Sequence, residues 1–99
     1  MSVVLALALP ALACDFPDEG ANTAWRRAVS KVKYLPETEA MAEMQSRDRN
    51  VVQYVVSLDR PRQLAGHCWW PVEVRVEGKL WKRFLVTPDG SAVREDKPR

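Results

Sequence analysis

The first half of the chain carries apolar residues at helical spacing. Between residues 24 and 35 they recur three or four positions apart, and Asn22 or Thr23 can cap a helix that starts here. Pro36 disfavours the helical conformation at Leu35 and suits the first turn of a second helix. The pattern predicts either two helices, the second over residues 36–45, or a single kinked helix. The apolar positions are Ala24, Trp25, Ala28, Val29, Val32 and Leu35 in the first helix and Ala40, Met41 and Met44 on the inner side of the second.

From residue 51 onward apolar positions alternate with polar ones, which is the period of a β-strand. Residues 51–58, 68–76 and 79–86 follow this period, residues 59–67 connect the first two stretches, and residues 91–95 can add a short edge strand. We therefore predict an α+β fold, with one or two N-terminal helices packed on a three- to four-stranded antiparallel sheet. The predicted core face carries Val52, Tyr54, Val56 and Leu58, followed by Cys68, Trp70, Val72, Val74 and Val76.

The turn at Gly78 allows two registers for the hairpin that follows. A two-residue loop, Glu77-Gly78, is the stronger local turn signal and places Val74 opposite Trp81. A three-residue loop that adds Lys79 separates apolar from charged side chains better, so we favour it. The pairs that it predicts are Val76–Leu80, Arg75–Trp81, Glu73–Arg83, Val72–Phe84 and Trp70–Val86.

The face of the sheet opposite the core is the predicted partner-binding surface. Helices cover only one face of a small sheet, so the other must face water or a partner. Trp69, Glu73 and Arg75 lie on this second face, and the favoured register places Trp81 and Arg83 beside them. Aromatic residues and Arg are the types that anchor protein interfaces. The alternative is that both Trp are buried and serve only stability.

The chain has 99 residues, which predicts one domain over residues 14–99 behind a signal peptide at residues 1–13. Ala11-Leu12-Ala13 follows a short apolar run and matches the small-x-small pattern that signal peptidase recognises, so we expect cleavage before Cys14 and export to the periplasm or medium. No Lys or Arg precedes the run, so either the signal is a poor one or the true start lies upstream; a buried N-terminal strand or helix is the alternative. The run is too short to span a membrane. The net charge is only +2 with both signs interspersed, which predicts no nucleic-acid partner.

The only His of the chain stands beside one of its two Cys. Neighbouring residues on a strand point to opposite faces, so His67 and Cys68 are not expected to act as a base and its nucleophile. One His and two Cys are too few for the usual zinc sites, and no two carboxylates stand out as an acid/base pair. The sequence therefore predicts no catalytic residue, no metal and no cofactor.

Cys14 and Cys68 are expected to form a disulfide, because the domain looks exported. The bond would close a loop of about 55 residues, for which the chain-entropy model gives about 4 kcal/mol of stabilisation. The competing interpretation is that Cys14 carries a lipid.

The stretch "WPVEVRVEGKLWKRFLVTPDGSAVRED", residues 70–96, resembles the sheet of PepSY-type small exported domains. In that pattern a Trp- or Tyr-led strand of V-x-V type turns at a Gly, and an aromatic-rich strand then ends in a turn before a short last strand. "TPDG" stands where the family often carries Asp and Thr-Gly, so this turn is similar but not matched. The order of helices before the sheet also fits, as it does the cystatin type. The resemblance implies an exported, non-enzymatic domain, often linked with inhibition of peptidases.

These features together predict an exported binding protein that acts on another protein in the periplasm. One version is an immunity protein against a rival's cell-wall hydrolase, and another is an inhibitor of a lysozyme or peptidase. The alternatives are a structural envelope lipoprotein anchored through Cys14 and a small enzyme of unknown type.

Overall fold

The computed structural model describes residues 20–58 and 60–97. In this part of the chain two helices precede five antiparallel strands, so the predicted α+β fold is confirmed. The predicted signal peptide, residues 1–13, and Cys14 lie outside the described residues. The elements are α1 (Ala21–Lys33), α2 (Pro36–Arg47), β1 (Val52–Val56), β2 (Arg62–Leu64), β3 (His67–Val76), β4 (Lys79–Val86) and β5 (Val93–Glu95).

α1 and α2 are separate helices, and Pro36 is the reason. Leu35 before it has an extended backbone with φ −66° and ψ 139°, and Pro36 then occupies the first turn of α2. α1 begins directly after Gly20 without a side-chain cap. The caps predicted at Asn22 and Thr23 are therefore wrong, since both residues lie inside the helix.

α1 packs on the sheet through small side chains. Ala24, Ala28 and Val32 are spaced four residues apart and are buried. Trp25, which shares the apolar spacing, is 42% exposed, so it lies largely outside the core. Arg27 Nη1 donates a hydrogen bond to the carbonyl oxygen of Pro88 at 3.0 Å, which ties the helix to the turn after β4.

α2 buries Thr38 and Met41, whereas Ala40 and Met44 are exposed. The predicted inner side is correct for Met41 and wrong for the other two. Residues three positions apart share one face of a helix, so Thr38 is buried together with Met41 despite its hydroxyl group. The orientation of α2 about its own axis, relative to the sheet, determines which of its residues are buried, and the apolar spacing in the sequence does not specify that orientation.

The strands pair in the order β1-β3-β4-β5, and β2 pairs with the first part of β3. β3 has ten residues and β1 only five, so β1 leaves the start of β3 uncovered. β2 fills this place, with Arg62 opposite Trp69, and joins β3 through a turn in which Ala65 and Gly66 both have positive φ. The interpretation of residues 59–67 as a plain connection is therefore incomplete, since it contains a strand.

The hairpin between β3 and β4 combines the two registers. Its turn is the two-residue loop Glu77-Gly78, in which both residues have positive φ, as a type I′ turn requires. A β-bulge then leaves Trp81 unpaired and shifts the pairing by one residue. The three-residue loop is therefore wrong at the turn, where Arg75 faces Leu80, but correct beyond the bulge. The confirmed pairs are Glu73–Arg83, Val72–Phe84 and Trp70–Val86, whereas Val76–Leu80 and Arg75–Trp81 are not formed.

One hydrophobic core lies between the helices and one face of the sheet. The predicted alternation is confirmed here: Val72 and Val74 are fully buried, and Val52, Tyr54 and Val56 pack against the cluster. The other face, which we call the outer face, carries Glu73 and Arg75 of β3 and Arg83 of β4. The buried cluster consists of Ala28, Val32, Met41, Val72, Val74, Phe84 and Val86.

Candidate functional site

Glu73, Arg75 and Arg83 meet on the outer face of the sheet. Glu73 Oε1 accepts hydrogen bonds from Arg75 Nε at 3.0 Å and Nη2 at 2.8 Å, and Glu73 Oε2 accepts one from Arg83 Nη2 at 2.8 Å. Arg75 stands two residues from Glu73 and so shares its face of β3, while Arg83 lies opposite Glu73 in the register. The structure thus brings three of the five predicted partner-binding residues together.

This cluster carries one more positive than negative charge. The hydrogen bond from Arg83, followed by that from Arg75, lowers the pKa of Glu73 below its ordinary value. The side chains of Arg75 and Arg83 are 39% and 40% exposed, compared with 19% for Glu73. A guanidinium group has five N–H donors, so both arginines keep donors that a partner's carboxylate or carbonyl oxygen can reach.

Leu80 adds an exposed apolar side chain to the cluster. It faces Arg75 in the register and is 47% exposed. Our sequence reasoning missed it, because the three-residue loop placed it opposite Val76 in the core. The stronger local turn signal, Glu77-Gly78, could have revealed it. We define the outer-face patch as Glu73, Arg75, Leu80 and Arg83.

Trp69 does not contribute to this patch, because it is only 7% exposed. Its indole Nε1 donates a hydrogen bond to the carbonyl oxygen of Leu64 in β2 at 3.0 Å. The guanidinium carbon of Arg94 lies 5.9 Å from the centroid of the ring, within the range of a cation–π contact. The expected exposure of Trp69 is therefore wrong, and the reason is the strand β2 that the sequence did not indicate.

Trp81 also lies apart from the patch, because the bulge turns it toward the core. It is half-buried, packs against the core cluster, and has its ring centroid 6.3 Å from that of Phe84. Lys82 Nζ lies 4.9 Å from the centroid of the Trp81 ring and 3.0 Å from Glu37 Oε2 of α2. Trp81 therefore packs on the helix side of the sheet and does not pair with Trp69 on the outer face.

His67 and Cys68 line a cleft of about 460 Å³ beside the turn that follows β4. In this turn Asp89 accepts hydrogen bonds from the backbone N–H of Ser91 at 2.9 Å and from Thr87 Oγ1 at 3.0 Å. These bonds, the one from Ser91 first, lower the pKa of Asp89 to about 2. An efficient general base has a pKa near the working pH, so Asp89 is a poor base at neutral pH. Its contacts indicate that it stabilises the turn.

Cys68 is half-buried at the start of β3. Its predicted disulfide partner, Cys14, lies outside the described residues, so the bond stays a prediction. Within residues 20–58 and 60–97, no group of three His, Cys, Asp or Glu side chains is placed to hold a metal ion. In the same ranges no helix is long and apolar enough to cross a membrane.

A second exposed surface, which the sequence reasoning missed, lies on the outward side of α1. Trp25 and Tyr34 border a shallow groove of about 210 Å³ together with Arg26, Val29 and Lys33. Both aromatic rings are substantially exposed. The sequence did contain a signal for the exposure of Trp25, because Trp25 is adjacent to Ala24. Only one of two adjacent helical residues can lie at the centre of the buried stripe. This groove is the main alternative to the outer-face patch as a contact surface.

No protein-family model matches this chain, and no curated protein or solved structure matches it. The resemblance of residues 70–96 to PepSY-type domains therefore stays a prediction.

Proposed function

We propose that this protein is an exported, non-enzymatic binding protein of the inhibitor or immunity type. It acts on another protein in the periplasm, such as a peptidase or cell-wall hydrolase, and binds it through the outer-face patch. The observation that carries the proposal is the cluster of Glu73, Arg75 and Arg83 with the exposed Leu80 beside it. Interfaces are enriched in Arg, and the buried centre of an interface is more apolar than its rim, so two arginines beside an exposed Leu suit an interface.

The hydrogen bonds within the patch support the proposal because they hold the arginines in place before binding. Arg75 donates two bonds to Glu73 and a third, from Nη1, to the carbonyl oxygen of Gly78 at 3.3 Å. Side chains that are already ordered lose less conformational entropy when a partner binds. Positions on strands are also held more accurately than positions on loops. A partner with a carboxylate beside an apolar side chain fits the net positive charge and Leu80.

The binding role is tested by capture from periplasmic extract, followed by titration of the purified partner. We expect Arg83→Ala and Leu80→Ala each to weaken binding about tenfold or more, because truncating an interface anchor costs about 2 kcal/mol. Arg47→Ala is the matched control, since Arg47 forms an exposed ion pair of 3.1 Å with Glu43 on α2, away from the sheet. Unchanged affinity in both patch variants would contradict the proposed site. A loss in Trp25→Ala instead would assign binding to the groove on α1.

Export is tested at the mature N-terminus. We expect mass spectrometry of the exported protein to show a chain that begins at Cys14 without a lipid. Retention of Met1 would contradict export with cleavage. A diacylglycerol on Cys14 would instead support the alternative function, a structural lipoprotein of the envelope.

A further inference from the structure

β1 forms one edge of the sheet, and this edge lacks the usual protection against pairing. Natural edge strands are commonly short, charged, bulged or interrupted by Pro, which prevents unwanted strand addition. Residues 51–58, "VVQYVVSL", contain neither a charge nor a Pro, and Val51 and Val55 are 59% and 43% exposed. The opposite edge strand, β5, has only three residues and two of them are charged. The contrast indicates that the β1 edge is a contact surface.

The backbone of β1 leaves a regular row of outward groups. Ser57 N–H donates to the Pro71 carbonyl oxygen at 3.0 Å, and Glu77 N–H donates to the Val51 carbonyl oxygen at 2.9 Å. Odd-numbered residues of the strand therefore direct their backbone groups toward β3, and in an antiparallel ladder the even-numbered residues direct theirs away. Within residues 20–58 and 60–97, no strand pairs with this outer side of β1. The outward N–H and C=O groups belong to Val52, Tyr54 and Val56.

We propose that the β1 edge binds a second copy of this chain, so that two sheets join into one across a two-fold axis at Tyr54. In an antiparallel arrangement Tyr54 pairs with Tyr54 of the second copy, and Val52 pairs with Val56 of the second copy. Only outward-directed residues then meet, and each of these pairs exchanges two backbone hydrogen bonds. This dimer is independent of the binding role of the outer-face patch.

The side chains of β1 favour a second copy as the occupant. The strand is uncharged, so two copies meet without electrostatic repulsion along it. On the core side the pairing brings Val52, Tyr54 and Val56 of both copies together, and these side chains already pack against the core cluster of each copy. On the outer face it places Gln53 opposite Val55 of the second copy. An isologous contact needs this self-complementarity, in which the same surface faces itself.

The register of this dimer is tested by sedimentation equilibrium of the full chain at low salt. Wild type is expected to show a mass that rises with concentration to twice that of the monomer. Gln53→Lys with Val55→Lys places like charges opposite each other twice, so we expect the dimer dissociation constant to rise about tenfold or more. Gln53→Glu with Val55→Lys places opposite charges there, so we expect it to dimerise at least as well as wild type.

The Glu/Lys variant, Gln53→Glu with Val55→Lys, keeps the test decisive if the Lys/Lys variant folds poorly. Within one copy Gln53 faces Arg75 and Val55 faces Glu73, so the Glu/Lys variant adds two favourable pairs to the monomer. The Lys/Lys variant adds one unfavourable pair, and its circular dichroism and melting must therefore be compared with wild type. Leu80→Lys adds a charge to an inner strand and should leave the dimer unchanged. A monomeric wild type would overturn the proposal, and so would equal dimer dissociation constants for the Lys/Lys and Glu/Lys variants. Neither result would bear on the binding role proposed for the outer-face patch.

Discussion

The burial of Trp69 leads to a prediction that separates a structural role from a binding role. Trp69 is 7% exposed, its indole N–H is bonded to Leu64 of β2, and Arg94 lies over its ring. Trp69→Ala would remove both of these contacts together with the buried surface of the ring, and would leave a cavity beside β2. We therefore expect a large loss of stability.

The magnitude follows from the size of the side chain and its burial. Replacing a buried Trp with Ala typically costs about 3–5 kcal/mol, from lost transfer free energy and the cavity left behind. A domain of this size has a total unfolding free energy of roughly 5–15 kcal/mol, so the loss is a large share of it. In a domain this small each kcal/mol shifts the melting temperature by about 4–8 °C, so the midpoint should fall by about 12 °C or more.

The assay is urea denaturation followed by circular dichroism, with two comparison variants. Trp69→Phe keeps most of the packing but loses the bond to Leu64, so we expect a smaller loss of about 1–2 kcal/mol. Trp25→Ala removes the same side chain from an exposed helical position and should cost less than about 1 kcal/mol. If Trp69→Ala melts like wild type, the argument from burial fails, and the original assignment of Trp69 to a binding surface becomes the better one.

Three further predictions concern charge, a turn and the cysteines. The pKa of Glu73 is lowered from 4.5, so its ion pairs stabilise the fold fully above about that pH, and this stabilisation is lost as the pH falls through the lowered pKa. Glu73→Gln should therefore lose less stability than wild type on acidification. Urea denaturation at a series of pH values measures this, and parallel curves of unfolding free energy against pH would contradict it. Gly90 and Gly66 both have positive φ, but a Cβ at Gly90 would lie 3.0 Å from side-chain atoms of Arg27 and Lys31, whereas a Cβ at Gly66 would meet no atom within 4 Å. Gly90→Ala should therefore lower the unfolding free energy more than Gly66→Ala, because these α1 side chains must shift, and equal losses in urea denaturation would remove the steric argument. Cys14 and Cys68 should be unreactive to a thiol reagent in the oxidised, denatured protein, and Cys68→Ala should cost about 2–5 kcal/mol; two free thiols would rule the disulfide out.

The sequence by itself determined the order and type of most elements, because the forces that decide them are local. Pro36 ended α1 and began α2, since its ring restricts the residue before it and fits a first helical turn. The alternation through Val72 and Val74 identified the core face of the sheet, since side chains of a strand point alternately to its two faces. The same alternation, with the pairing of Glu73 and Arg83, brought the charged cluster together.

Only the tertiary structure decided which aromatic side chains are exposed. A shift of one residue turns a side chain to the other face of a sheet, and the bulge at Trp81 is such a shift. Trp69 is buried because β2 occupies the place beside β3 that the shorter β1 leaves open, which depends on contacts between distant segments. Local pattern specifies the period of a strand, whereas the position of a bulge and the strand that covers an edge depend on how all the elements pack together. For that reason the sequence predicted the charged part of the candidate site and not its apolar part, Leu80.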